Sequence, residues 1–133
     1  MKETTFFFLF FILAGTLFSQ TNIPKYYELE GRAYTEADSI HKVWMKKEFP
    51  SIIKKHKLKM TCAKCSNIYM DVVFTIDANG VLRLPKLVKT VCCGGSFSSD
   101  LSCDFLNYFY TLQFPWALRN LTFEFRLGTG LSC

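Results

Sequence analysis

The sequence predicts a small α+β domain: an antiparallel sheet built from a central hairpin and a C-terminal strand, with two helical segments packed on one face and disulfides bracing the whole. Three observations carry this. Residues 67–77 alternate with a period of two and run into an Asn-Gly turn. Two stretches, near 39–57 and 99–113, hold apolar residues at the three- and four-residue spacing of helices buried on one side. Six cysteines, an even number, lie in a chain whose start reads as an export signal. With 133 residues, half of them hydrophobic, there is room for one core and too much apolar content for whole-chain disorder or a fibrous repeat.

Residues 1–19 read as a signal peptide. Lys2 precedes an apolar run, small residues Ala14, Gly15 and Thr16 follow, and Ser19 offers a small side chain at the exit position. The apolar core from Phe6 to Phe18 is 13 residues, short of the roughly 17–25 of a spanning helix. The alternative is an uncleaved anchor. Cleavage after residue 19 of 133 leaves 114 residues with no stable transmembrane span, and the expected location is periplasmic or secreted.

Residues 20–38 show no sustained period and are expected as an irregular lead-in to a single domain over 39–133. From Ser39, the residues Ile40, Val43, Trp44, Phe49, Ile52 and Ile53 mark one helical side. Asp38 or Ser39 supplies a cap. Pro50 lacks an N–H and clashes with the preceding turn, so it should divide this stretch into helices at 39–48 and 51–57. In the strand at 67–77, Ile68, Met70, Val72, Phe74 and Ile76 share one face. Asp77-Ala78-Asn79-Gly80 turns the chain, and Val81–Thr90 returns as a strand with an edge or bulge near Pro85. Cys92 to Ser96 is a loop.

A helix over 99–113 places Leu101, Phe105, Tyr108, Phe109 and Leu112 together, with Asp100 and Asp104 near its positive N-terminal end. Pro115 stops it. Residues 120–127 form the last strand, with Leu121, Phe123, Phe125 and Leu127 inward. Trp116 is expected as a core plug, because a small domain has few other large groups to fill its centre.

The run Asp71-Val-Val-Phe-Thr-Ile-Asp-Ala-Asn-Gly-Val-Leu-Arg83, with Phe49-Pro50 upstream and Phe114-Pro115-Trp116 downstream, resembles the TonB C-terminal domain family over roughly residues 39–127. Members that transduce energy carry a membrane anchor and a long proline-rich spacer, and neither is found ahead of this domain. The resemblance therefore implies a free-standing exported domain, non-enzymatic, that meets a protein partner and pairs an edge strand with it.

The cysteines at 62, 65, 92, 93, 103 and 133 are all disulfide candidates, and six allow fifteen pairings. Bridges among the loop before the hairpin, the loop after it, the last helix and the tail suit an exported domain of this size. Cys133, if unbridged, is the residue for an intermolecular link. Two alternatives use the Cys62-Ala-Lys-Cys65 motif: a redox pair with a lowered thiol pKa, or a zinc or copper site formed by Cys62, Cys65, Cys92 and Cys93. A strand follows the motif where a thioredoxin-like pair has a helix, and adjacent Cys92-Cys93 departs from ordinary ligand spacing. No metal or other cofactor is expected under the leading reading.

Residues 42–64 hold eight lysines against Glu48 alone. Lys42, Lys46, Lys47, Lys54, Lys55, Lys57 and Lys59 form a cationic surface that either contacts an anionic partner or is a solvated helix face. Nucleic acid is not expected, since the segment has no arginine and no interleaved aromatic platform. His41 and His56 have no acid at fixed spacing and are expected as surface groups, so no catalytic residue is assigned. Asp71 sits on the outer face of its strand and Asp77 opens the turn, so they form no carboxylate pair.

Overall fold

The computed structural model describes residues 22–63, 65–93, 97–131 and 133. The signal-peptide assignment for residues 1–19 lies outside them. The first long element is α1, Gly31–Val43, so the irregular lead-in is shorter than the sequence predicts and the helix begins eight residues before Ser39. Its seam is Ala33, Ala37, Ile40 and Trp44. Alanine is the strongest helix former yet contributes little to an apolar period, which is why this first half reads as irregular. Ion pairs at four-residue spacing, Arg32–Glu36 and Asp38–Lys42, line its solvent side.

Pro50 does not divide the helix. The chain widens into a π turn over Trp44–Glu48, where Phe49 N–H donates to Trp44 O, and α2, Phe49–Lys55, continues from it. Pro50 thereby sits in the first turn of α2, directly after the widened turn, where the regular four-residue ladder is already interrupted. Lys57 closes α2 in the left-handed region with φ +54°. Lys57 N–H donates to Lys54 O at 3.1 Å and Leu58 N–H to Ile53 O at 3.0 Å. This pair of bonds is a Schellman closure, which usually has glycine at the left-handed position.

Strand β1, Asn67–Thr75, is central in a three-stranded antiparallel sheet of order β2-β1-β3, with β2 at Lys86–Cys92 and β3 at Thr122–Gly130. The predicted return strand at 81–90 therefore starts later. Val81–Pro85 makes only the Leu82–Ile76 bridge, because proline ends the ladder there. The expected bulge falls at Val88, between the Asp71–Lys89 and Val72–Leu87 pairs. β3 runs on through Gly130, and at Gly128, with φ +106°, any Cβ would strike Ile68 O.

The hairpin turn is held by Asp77, whose Oδ1 accepts Asn79 N–H and Val81 N–H, both at 2.9 Å. Gly80 has φ +79°, and its carbonyl accepts Phe114 N–H at 2.9 Å, docking the turn onto the segment after the last helix. That helix, α3, spans Ser99–Thr111 and starts at Ser98, whose Oγ accepts Leu101 N–H at 3.1 Å.

The helices cover one face of the sheet. Ile68, Met70, Val72 and Phe74 of β1 and Phe123, Phe125 and Leu127 of β3 are fully buried beneath Trp44, Phe105 and Phe109. The plug of this core is Trp44, wholly buried and donating Nε1–H to Phe105 O at 3.2 Å. Trp116 is not the plug: it is 67% exposed and lies over the Arg32 guanidinium at 5.7 Å. The extended residues Leu112–Pro115 turn it outward and send Phe114 into the core instead.

The two histidines are not free surface groups. His41 stacks on Tyr26 and on Phe125, which also touch each other, and its Nε2–H donates to Arg126 O at 2.7 Å. His56 Nε2 meets Asp104 Oδ2 at 2.6 Å, and Lys55 Nζ meets the same oxygen at 2.9 Å. No helix among the described residues is long and apolar enough to cross a membrane.

Lys57→Gly removes the left-handed penalty and is expected to raise stability by about 1 kcal/mol, read from the urea midpoint. Two carboxyls set the acid limb of stability. Hydrogen bonds from Lys55 and then His56 hold Asp104 below the usual carboxylate range, and backbone N–H donors, Val81 foremost, do so for Asp77. Both pKa values are lower in the folded than in the unfolded chain, so this stabilisation is complete above about pH 4 and is lost as pH falls through the folded values. Asp104→Asn is expected to lower the midpoint at pH 7 and flatten its decline below pH 4.

Candidate interaction edge

Four of the six cysteines are bridged. Cys62 joins Cys133 and Cys65 joins Cys93, with Cα–Cα distances of 5.7 and 4.2 Å. The first ties the loop before β1 to the C-terminal residue, so Cys133 is not available for an intermolecular link. The second ties that same loop to the end of β2. Cys92 and Cys103, the other two disulfide candidates, carry free thiols.

This pairing separates the two sulfurs of the Cys62-Ala-Lys-Cys65 motif, since each is bonded to a different partner. Neither is present as the thiolate that a redox pair requires. Of the four sulfurs proposed for a metal, Cys62, Cys65 and Cys93 are in bridges and only Cys92 is a thiol. Cys92 Sγ lies 4.0 Å from Cys93 Sγ, and burial pushes its pKa up, away from the thiolate. Among the described residues, no group of three or more His, Cys, Asp or Glu side chains could hold a metal ion.

The two edges of the sheet differ. The outer edge of β3 is occupied: Glu124 N–H donates to Pro24 O at 2.9 Å, and Lys25 bridges Glu124 in parallel fashion. The outer edge of β2 has no partner strand among the described residues. It is also the least buried strand, with Leu87 47% and Val88 56% exposed, and Leu84 just before it 92% exposed. The helical layer covers β1 and β3 and stops short of it. Register assigns its side chains to faces. Lys86 and Lys89 lie opposite Val73 and Asp71 on the face away from the helices, whereas Leu87 and Thr90 lie opposite Val72 and Met70 on the core side.

The open face of the sheet is polar and internally paired. Arg126 grips Asp71 through Nε at 2.8 Å and Nη2 at 3.0 Å, and its guanidinium lies 4.3 Å from the Tyr69 ring centre. Lys89 approaches the other side of that ring at 5.9 Å. A cavity of about 140 Å³ lies where the Lys25–Tyr27 segment crosses this face, lined by Lys25, Tyr26, Tyr27, Asp71, Glu124 and Arg126. Asp71 on the outer face and Asp77 in the turn are placed as the sequence predicts.

The predicted cationic residues also fall into two groups. Lys42 is paired with Asp38 at 2.6 Å and Lys55 with Asp104 at 2.9 Å. Lys46, Lys47, Lys54, Lys57 and Lys59 are exposed and have no acid partner among the described residues.

The sequence marks the return strand Val81–Thr90 as having an edge or bulge near Pro85, and the structure places β2 at the edge of the sheet. The exposure of Leu84, Leu87 and Val88 along it has no signal beyond the missing alternation across Leu84-Pro85-Lys86-Leu87-Val88-Lys89. Comparison with protein-family models, curated proteins and solved structures found no match to this chain.

The oxidised protein is expected to weigh four hydrogens less than the reduced chain, two per bridge, and to take up two alkyl groups when unfolded without reductant. The bridges close separations of 71 and 28 residues. Restriction of the unfolded chain makes each worth about 4 kcal/mol, so reduction should lower the urea midpoint sharply.

Proposed function

We propose that this chain is an exported, non-enzymatic domain that acts by protein–protein contact in the periplasm or outside the cell, and that β2 is the strand it offers. The observation that carries this reading is the edge of β2, which has no partner strand among the described residues, beside exposed Leu84, Leu87 and Val88. An extended partner laid along that edge gains main-chain hydrogen bonds without a deep pocket. Its core-side residues meet Leu87 and its outer-face residues meet Lys86 and Lys89. The chemistry that fits is an extended segment alternating apolar and acidic side chains.

A second copy fits poorly. Antiparallel self-pairing centred on Leu87 and Val88 sets Lys86 against Lys89 twice, and Pro85 and the Val88 bulge further blunt self-association. Export accords with the two disulfides, which persist in oxidising compartments. The resemblance of residues 39–127 to the TonB C-terminal domain family, read from the sequence, implies the same mode of action. Thiol or metal chemistry at Cys62, Cys65, Cys92 and Cys93 has little support, because three of those sulfurs are already bonded.

A photo-crosslinking residue at Leu84 or Val88, in protein expressed and exported by its native host, is expected to give a discrete adduct that the same residue at Asn107 on α3 does not. Val88→Pro should abolish the adduct while leaving the unfolding midpoint nearly unchanged, since Val88 is the bulged residue of an edge strand. A lone monomer at every position, with size-exclusion giving the monomer mass from the same extract, overturns the proposal.

A further inference from the structure

We infer that the solvent side of the α1–α2 rod is a docking surface for an anionic phospholipid bilayer, centred on Lys46, Lys47, Lys54, Lys57 and Lys59. Lys42 and Lys55 are neutralised by Asp38 and Asp104, while the five others have no acid within salt-bridge reach among the described residues. Glu48 is the only acid between residues 42 and 63. Five uncompensated ammonium groups within fourteen consecutive residues form the densest charge of one sign in the chain.

Their placement is set by the core. Ala37, Ile40, Trp44, Phe49 and Ile52 are buried against the sheet and α3, so the exposed Lys46, Lys47 and Lys54 occupy the opposite side of the rod. The Schellman closure at Lys57 ends the helix, so Lys57 and Lys59 lie exposed in the segment that leaves its C-terminal end. The π turn, by carrying the helix past Pro50, joins two short helices into one rod of 25 residues, roughly 37 Å long at 1.5 Å per residue. The exposed Lys46, Lys47 and Lys54 thus lie on the solvent side of consecutive helical turns.

The chemistry favours a lipid surface over other polyanions. Lysine is a hydrated point charge that senses charge density, whereas planar, bidentate recognition of phosphate is the property of arginine, which this segment lacks. Bases of single-stranded nucleic acid ask for exposed aromatic platforms, and the aromatics here, Trp44 and Phe49, are buried. A leaflet of anionic headgroups asks only for positive charge near its plane. Val43, 37% exposed beside these lysines, adds a small apolar contact. Docking by this face leaves the β2 edge unobstructed, because β2 lies beyond the helical layer. The inference is independent of the partner proposed for β2.

The test is sedimentation of the oxidised, exported protein with vesicles of phosphatidylcholine alone and with a third phosphatidylglycerol, at low and high salt. Each lysine near an anionic surface contributes roughly fivefold to partitioning. Binding to the anionic vesicles is therefore expected to exceed that to neutral ones by about a hundredfold or more at low salt, and to collapse at 0.5 M salt. The variant with Lys46, Lys47, Lys54, Lys57 and Lys59 all changed to Gln should lose this preference and keep its far-ultraviolet spectrum. Changing Lys86 and Lys89 to Gln instead, which removes equal charge per residue from β2, should reduce it far less. Equal binding to both vesicles, equal loss from the β2 variant, or tighter binding to heparin or DNA than to the anionic vesicles overturns the inference.

Discussion

The structure depends on one strand being buried on its inner face along its whole length. Ile68, Met70, Val72 and Phe74 of β1 are fully buried, and the ladder on either side holds their alternation in place. A slip of one residue would turn all four outward and bring Tyr69, Asp71 and Thr75 into an aromatic core with no buried polar side chain among the described residues. That core is built from rings at offset and edge-on angles: Phe74 meets Phe109 at 4.8 Å and Phe125 at 5.3 Å, and Trp44 meets Phe105 at 5.1 Å. Such contacts exceed the value of their area alone and fix one arrangement of helices over sheet.

Around this centre the restraints are covalent. Both bridges begin in the short loop that precedes β1 and reach the two places where the sheet ends, the terminus after β3 and the turn after β2. A sheet of three strands with helices on one face has a modest core. Linking its ends reduces the entropy of the unfolded chain where packing has least to offer. The free thiols belong to the periphery: Cys103 is exposed on α3, and Cys92 sits beside a completed bridge with its proton held more tightly by burial.

Surface chemistry divides between the two faces and the edge. The open face satisfies itself, with Arg126 shared between Asp71 and the Tyr69 ring. The edge of β2 does not, since its backbone has no partner strand among the described residues and its apolar residues are exposed. Pro85, the bulge and two lysines are the usual protections of such an edge, and here they disfavour a like-charged copy more than a complementary partner. The lysines of the rod are a second unsatisfied feature, on a different side of the molecule.

Much of this was legible in the sequence. Period-two alternation in β1, the Asn-Gly turn, the apolar spacing of α3 and the outward Asp71 all follow from local physics, since a side chain's face is fixed by its position in a strand or helix. The α+β class and the presence of disulfides follow with them. Other properties were settled by contacts between distant segments. Alanines 33 and 37 become a helical seam only when a sheet lies beneath them, and Pro50 is tolerated only because the preceding turn can widen. His56 finds its acid 48 residues away. Trp44 rather than Trp116 fills the centre, and Phe114, bonded to Gly80, takes the inward place next to Trp116. Pro85 marks β2 as an edge from sequence, but which cysteines pair depends on where distant segments meet in space, and no local pattern encodes that distance.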